Sequence, residues 1–321
     1  MIKKYLKLIE AEIKKQKFGS EPTSLYEPIR YIMGLGGKRL RPVLALLSYS
    51  LYKRDAQNMV SYATAVEAFH NFTLLHDDIM DKAPLRRGKP TVHEKWNVNT
   101  AILSGDVMLV RVYDLFLSLE EKKLKAVLKL FNTCAAEVCE GQQWDMEFEA
   151  KSKVAEGQYI EMIRLKTAVL LGFSLELGAL LANAPEGERK ALKEFGINIG
   201  IGFQLKDDLL DVYADKKKFG KQVGGDIVAN KKTFLLIKAK EKATGKDKVE
   251  LEKWLSTKKF NSKQKVKAVT RLYDKLGIPQ LTERKIKLYF KKGFAKLEKI
   301  KNSQAKKRLI EFTQDLINRQ V

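Results

Sequence analysis

Two short stretches carry the same acidic pattern, Asp77-Asp78-Ile79-Met80-Asp81 and Asp207-Asp208-Leu209-Leu210-Asp211. Each closes an apolar run with helical periodicity, residues 69–75 before the first and 197–205 before the second. On a helix, positions i and i+4 share a face with Cβ atoms about 5–6 Å apart. Asp77 and Asp81, and likewise Asp207 and Asp211, are therefore like-charge neighbours beside a core-facing surface, and such a pair asks for a cation. Carboxylate oxygens alone, without sulfur or imidazole, suit Mg²⁺, which keeps waters and is often completed by a substrate phosphate. A single cluster of this kind is as readily a solvated helix end. Two of identical spacing, each ending an apolar run, favour metal.

Basic residues accompany both clusters. Arg86 and Arg87 follow the first in a short Pro/Gly loop, and Lys221, Lys231 and Lys232 follow the second around Gly220, Gly224 and Gly225. Carboxylates that hold metal and cations that hold oxygens are together the parts needed to bind a diphosphate. A third element, Gly36-Gly37-Lys38-Arg39-Leu40-Arg41-Pro42, sets three cationic side chains behind two glycines and suits a phosphate contact at close backbone approach.

The elements that must position these groups read as helices almost throughout. Alternating β-branched runs are scarce, and the 7 prolines fall mostly at punctuation. Loops are expected over residues 82–90, 183–187 and 215–232, each rich in Gly, Pro or charge. No linker, low-complexity tract or short repeat divides the chain, so the expectation is a single all-α domain over residues 1–321. Ile2, Leu6, Ile9 and Ile13 recur at helical spacing, which reads as a packed first helix rather than a secretion signal. The longest apolar stretch, residues 168–184, carries Ser174 and Glu176 in its middle. Lipid would penalise that glutamate, so a buried helix is expected and not an integral membrane protein.

The net charge of +22 suits anionic partners: nucleic acid, an acidic membrane surface or phosphorylated small molecules. Most of the excess lies in lysines interleaved with glutamates after Lys238, a pattern of solvated helix faces. Cys134 and Cys139, the only 2 cysteines, have neither a metal-site nor a disulfide spacing, and a cytoplasmic location is the simplest expectation.

Taken together, these segments resemble the trans-isoprenyl diphosphate (polyprenyl) synthase family. The resemblance rests on GGKRLRP at 36–42, HNFTLLHDDIMDKAPLRRGKPTVH at 70–93, SGD at 104–106, GQ at 141–142, KT at 166–167, GFQLKDDLLD at 202–211 and GK…GGD…KKT at 220–233, in the family's order. It implies an all-helical isoprenoid-synthase-like bundle around a deep central cavity, usually a homodimer. It also implies roles: Asp77, Asp78, Asp81, Asp207, Asp208 and Asp211 holding Mg²⁺ ions on the allylic diphosphate; Arg86, Lys166, Lys221 and Lys231 contacting that diphosphate; Lys38, Arg41, His70 and Arg87 binding isopentenyl diphosphate; Thr167 and Gln204 beside the developing carbocation. His70 precedes Asp77 by two helical turns, on nearly the same face, which agrees with such a role; alone it would read as a core or capping histidine. Asn230 and Asn97 stand where the family often has glycine, and asparagine tolerates the left-handed region better than most residues.

The implied reaction joins isopentenyl diphosphate head-to-tail to an allylic diphosphate. Preorganised cations stabilise the departing pyrophosphate, an apolar cavity excludes water, and the released pyrophosphate serves as proton acceptor. This agrees with the lack of a Ser/His/Asp or Cys/His nucleophile set. Phe72, five residues before Asp77, sits roughly 7.5 Å back along its helix. With the small Thr73 beside it and Phe69 as a second floor, it resembles geranylgeranyl-forming (C20) members, with farnesyl (C15) as the alternative; simple core packing of both rings is the competing reading. A terpene cyclase would replace the second cluster and lack GGKRLRP, a non-catalytic subunit would have lost aspartates, and a nucleic-acid binder would leave both acidic clusters unexplained.

Overall fold

The computed structural model describes residues 1–16, 18–214 and 224–318. In chain order the helices are α1 (Ile2–Lys15), α2 (Thr23–Gly34), α3 (Leu40–Tyr49), α4 (Val60–Met80), α5 (Val92–Lys95), α6 (Val98–Phe116), α7 (Glu121–Ala150), α8 (Glu156–Ile163), α9 (Val169–Leu181), α10 (Glu186–Tyr213), α11 (Gly225–Val228), α12 (Phe234–Lys242), α13 (Gly245–Ser256), α14 (Ser262–Lys275), α15 (Ile278–Lys296) and α16 (Gln304–Asn318). Among the described residues the only strands are a hairpin, β1 (Leu85–Arg86) against β2 (Lys89–Pro90).

The chain divides into two compact units. The first comprises Met1–Cys134, Leu171–Lys193 and Lys299–Phe312. Within it α4 packs on α1, α3 and α6, and α1 buries Ile9 and Ile13 of the expected face together with Tyr5, while Ile2 and Leu6 are half-buried. An aromatic cluster forms the centre: the Phe131 ring lies 5.0 Å from Phe69, 5.2 Å from Tyr113, 5.5 Å from Phe116 and 5.9 Å from Phe173, centroid to centroid. Such pairs prefer the edge-on and tilted arrangements seen here. Glu176, set in the long apolar stretch, is buried and paired with Lys193 at 3.4 Å. No helix among the described residues is long and apolar enough to cross a membrane.

The second unit comprises Ala135–Leu170, Glu194–Glu298 and Thr313–Val321. Its core joins Val212, Ile227, Leu235, Leu236, Leu251, Val269, Leu272, Tyr273 and Ile278, with α14 against α11, α12, α13 and α15. Between α8 and α9 the backbone widens into a π turn over Arg164–Ala168. Gly141 explains how α7 tolerates that turn: a Cβ there would lie 2.2 Å from the Lys166 backbone nitrogen. The glycine of the GQ pair thus lets two backbones touch.

The structure refines the expected loops. Residues 82–90 contain the hairpin. Within 215–232 the stretch Gly225–Val228 is helical, while residues 215–223, Lys221 among them, lie outside the described residues.

Candidate active site

Each acidic cluster ends a helix. Asp77 and Asp78 occupy the last turn of α4, with Asp81 as its C-cap; Asp207, Asp208 and Asp211 lie in the last turns of α10. The negative end of the helix dipole adds to the carboxylate charge there. In both the middle aspartate, Asp78 or Asp208, is buried; the outer two differ, with Asp77 and Asp211 half-buried and Asp81 and Asp207 exposed.

In the first unit Arg86, carried by β1, grips Asp78 with both arms, Nε to Oδ2 and Nη2 to Oδ1, each at 2.6 Å, and reaches Asp77 at 3.8 Å. Burial still raises the Asp78 pKa above the ordinary carboxylate value against the pull of Arg86. Arg87, at the hairpin's left-handed corner (φ 53°), donates to the Gly36 carbonyl. Its guanidinium lies across Gly37, where a Cβ would come within 2.8 Å of it; with φ of +136°, Gly37 suits no other residue.

The three cations of the GGKRLRP segment part ways. Lys38 is exposed. Arg39 turns inward instead, its Nε on Glu10 at 2.8 Å, Nη1 on Glu67 at 2.9 Å and Nη2 on the Met33 carbonyl at 2.7 Å. It is an anchor and not a phosphate ligand, because its left-handed backbone (φ 46°) points it into the unit. Arg41 meets His70 with 2.9 Å between Nη1 and Nε2, and among the described residues its buried Nε has no hydrogen-bond partner. Burial pulls the Arg41 pKa down to about 10. Burial, then the charges of Arg41, Arg87 and Arg86, hold His70 well below the ordinary histidine value. Guanidinium groups gathered around a histidine held neutral suit an anion.

Phe69 is fully enclosed, with Phe72 at 5.7 Å from it and His76 at 4.8 Å beyond Phe72, ring centroid to centroid. Thr73 bonds the His70 carbonyl at 2.8 Å. In the SGD segment Ser104 ties α6 to the Leu25 carbonyl at 2.9 Å, Gly105 makes room for the His76 ring, and Asp106 lies 3.9 Å from His76.

In the second unit Asp145 of α7 gathers two of the expected lysines, Lys166 Nζ at 2.7 Å and Lys231 Nζ at 3.8 Å, on one oxygen. Sequence reading missed Asp145. Its position one turn after Gly141-Gln142 is the signal that could have marked it. Thr167 Oγ1 donates to Gln204 Oε1 at 3.3 Å, and Gln204 Nε2 donates to Asp208 Oδ1 at 3.0 Å. The buried Tyr159 hydroxyl, also missed, donates to Asp208 Oδ2. Thr167 and Gln204 therefore stand on one network with the second cluster, and the π turn that presents Lys166 and Thr167 is a device common at functional sites. Asp211 accepts from the Asp226 N–H at 3.0 Å. Lys232 reaches the Glu149 carbonyl at 3.0 Å. Burial, then the Asp226 charge, pushes the Asp208 pKa up to about 7.

Among the described residues no three His, Cys, Asp or Glu side chains form a preassembled metal cage. The donors nonetheless fit Mg²⁺, which uses one or two carboxylates with water and substrate oxygens, and a cation at Asp208 would relieve its raised pKa.

Asn230 takes the left-handed conformation at φ 54°, as asparagine in place of glycine permits. Asn97 does not; it is extended and caps α6 by accepting from the Thr100 N–H at 2.8 Å.

An all-helical fold with two acidic helix ends and basic turns suits the class of enzymes that handle diphosphates, and comparison with known proteins gives the family. The polyprenyl synthetase family pattern matches residues 22–273, and the chain belongs to that family. It is similar to the geranylgeranyl pyrophosphate synthase of Geoglobus acetivorans, 38% identical with 99% of this chain and 98% of the relative covered. Among solved structures it is similar to a geranylgeranyl pyrophosphate synthase at TM-score 0.95 and 42% identity, covering 99% of each chain. The geranylgeranyl pyrophosphate synthetase of Pyrococcus horikoshii Ot3 superimposes at TM-score 0.92 and 37% identity, covering 99% of this chain and 97% of that one.

Proposed function

We propose that this chain is a Mg²⁺-dependent trans-prenyltransferase that adds isopentenyl diphosphate to an allylic diphosphate and forms C20 geranylgeranyl diphosphate. The observation that carries the reading is the conjunction, within this family, of two D-D-x-x-D helix ends with an anion corner of Arg41, His70 and Arg87. In this reading the whole chain works as one polyprenyl synthetase domain.

Bound Mg²⁺ would be held by Asp77, Asp78 and Asp81 and by Asp207, Asp208 and Asp211, and would supply Lewis-acid stabilisation of the departing pyrophosphate. Lys166, Lys231 and Arg86 hold the allylic diphosphate, exchanging their present carboxylate partners for phosphate oxygens; Lys221 joins them on the strength of the motif alone. Lys38, Arg41 and Arg87 hold isopentenyl diphosphate, with neutral His70 as a hydrogen-bonding neighbour. The Thr167 hydroxyl oxygen and the Gln204 carbonyl offer lone pairs to the allylic cation, and apolar walls keep water from it. No side-chain base is needed, since the leaving pyrophosphate takes the proton.

Phe72 sets the floor of the tail pocket, with Phe69 behind it and the small Thr73 alongside. Exposed Leu103, Val110 and Leu117 recur every seven residues along and just past α6, and this stripe supports a homodimer. The 2 cysteines, neither in a disulfide, suit a cytoplasmic enzyme.

The test is purified protein with Mg²⁺, labelled isopentenyl diphosphate and allylic primers, with products sized after dephosphorylation. Linear C20 alcohol is expected. Linear C15 alcohol would shorten the assigned product, cyclic hydrocarbon would point to a cyclase, and no turnover with any primer would overturn the enzyme reading. Asp207→Ala should lower turnover by at least about 10³-fold, the equivalent of the several kcal/mol that metal stabilisation supplies.

A further inference from the structure

Helix α14 sends one lysine inward. Lys265 has no solvent exposure. Its Nζ donates to the Asn230 side-chain oxygen at 2.6 Å and to the Val228 carbonyl at 3.2 Å. The Phe260 ring centroid lies 4.2 Å away. A buried ammonium is costly without compensation. Among the described residues its partners are these two oxygens and a ring, with no carboxylate, and burial lowers its pKa. A methionine or leucine would fill the space without that cost, so cohesion of the core does not explain the charge.

What the ammonium holds is a corner. Residues 224–231 are tied to the second acidic cluster at their start: Gly224 N–H donates to the Asp211 carbonyl at 2.6 Å, and Asp226 N–H to the Asp211 side chain at 3.0 Å. At their end the Lys231 N–H closes back on the Asp226 carbonyl at 2.9 Å. Asn230, the left-handed residue just before Lys231, is clamped on both sides of its amide. Its oxygen accepts from Lys265, and its nitrogen donates to the Leu255 carbonyl at 3.0 Å. The Val228 carbonyl is an orphan acceptor at the C-terminal end of α11, where a cation is favoured.

We propose that Lys265 is a positioning residue: through Asn230 and the Val228 carbonyl its ammonium fixes the corner that aims Lys231 at the allylic diphosphate. This rests on the reading above that Lys231 contacts that diphosphate. The pairing belongs to Asn230, because glycine at that position would offer the ammonium no side-chain oxygen.

The experiment compares wild type, Lys265→Met, Asn230→Gly, the double variant and Lys231→Met. It reads the two apparent KM values, the calorimetric affinity for the allylic diphosphate with Mg²⁺, and Tm. Lys265→Met should raise the allylic KM about tenfold and weaken binding in parallel, with the isopentenyl KM held within about twofold. Asn230→Gly should shift the allylic KM in the same direction, and the double variant should be no worse than Lys265→Met, since both remove one link. An unchanged allylic KM, an equal rise in both KM values, or a lower Tm alone would make Lys265 merely structural and overturn the proposal. Should Lys265→Met not fold, Asn230→Gly, at a partly exposed position, decides by the same criterion. If Lys231→Met leaves allylic binding untouched, the assignment of Lys231 itself fails, and Lys265 then has nothing to aim.

Discussion

His70 shows how far a single side chain departs from its ordinary chemistry when cations surround it. Burial and the guanidinium groups of Arg41, Arg87 and Arg86 depress its pKa well below the histidine value. The unfolded chain then takes up a proton near pH 6.5 that the folded chain refuses. Stability from this residue is complete above pH 6.5 and falls as pH drops from there toward the folded pKa, by at most about 1.4 kcal/mol per pH unit. His70→Asn should flatten that part of a urea-midpoint profile measured from pH 7.5 downward; an unaltered slope would assign the acid limb to other groups. At this scale the sequence was partly legible. Spacing singled out all six aspartates, yet which member of each trio would be buried depends on neighbouring helices. Arg39 looked like its neighbours Lys38 and Arg41 because only the left-handed backbone, invisible in residue types, turns it toward Glu10 and Glu67.

In the proposed function helix α4 joins recognition and ruler on one rod, with His70, Phe72 and Asp77 successively along it. Phe72→Ala should open the floor and lengthen the prenyl product by one or more isoprene steps, read by chromatography; an unchanged product would place the floor elsewhere. The fully enclosed Phe69 is a worse target, since truncating a buried aromatic costs about 3–5 kcal/mol of stability. The π turn makes a second demand. Gly141→Ala would press a Cβ against the Lys166 backbone, and overpacking of this kind costs typically 1–3 kcal/mol. Both Tm and turnover should fall, and a variant with wild-type values would show that the turn yields freely. Helix existence was readable from apolar periodicity. The π turn was not, since one inserted residue leaves almost the same pattern, and α11 was hidden in a glycine-rich stretch by being only 4 residues long.

For the whole molecule, the seven-residue spacing of Leu103, Val110 and Leu117 yields a prediction of assembly. Leu103→Glu with Val110→Glu should halve the mass seen by sedimentation, whereas an unaltered mass would remove α6 from the interface. The stripe was present in the sequence but unreadable there, because exposure is a property of the packed chain. The two acidic trios have a different consequence. Each stands where helix carbonyls already concentrate negative charge, so bound cations would relieve repulsion there. A ligand that binds only the native state raises stability with its concentration, and Mg²⁺ with pyrophosphate together should therefore lift Tm more than either alone. On the proposed reading heat tolerance becomes a gauge of occupancy: a cell short of magnesium or of prenyl precursors would hold a more perishable enzyme.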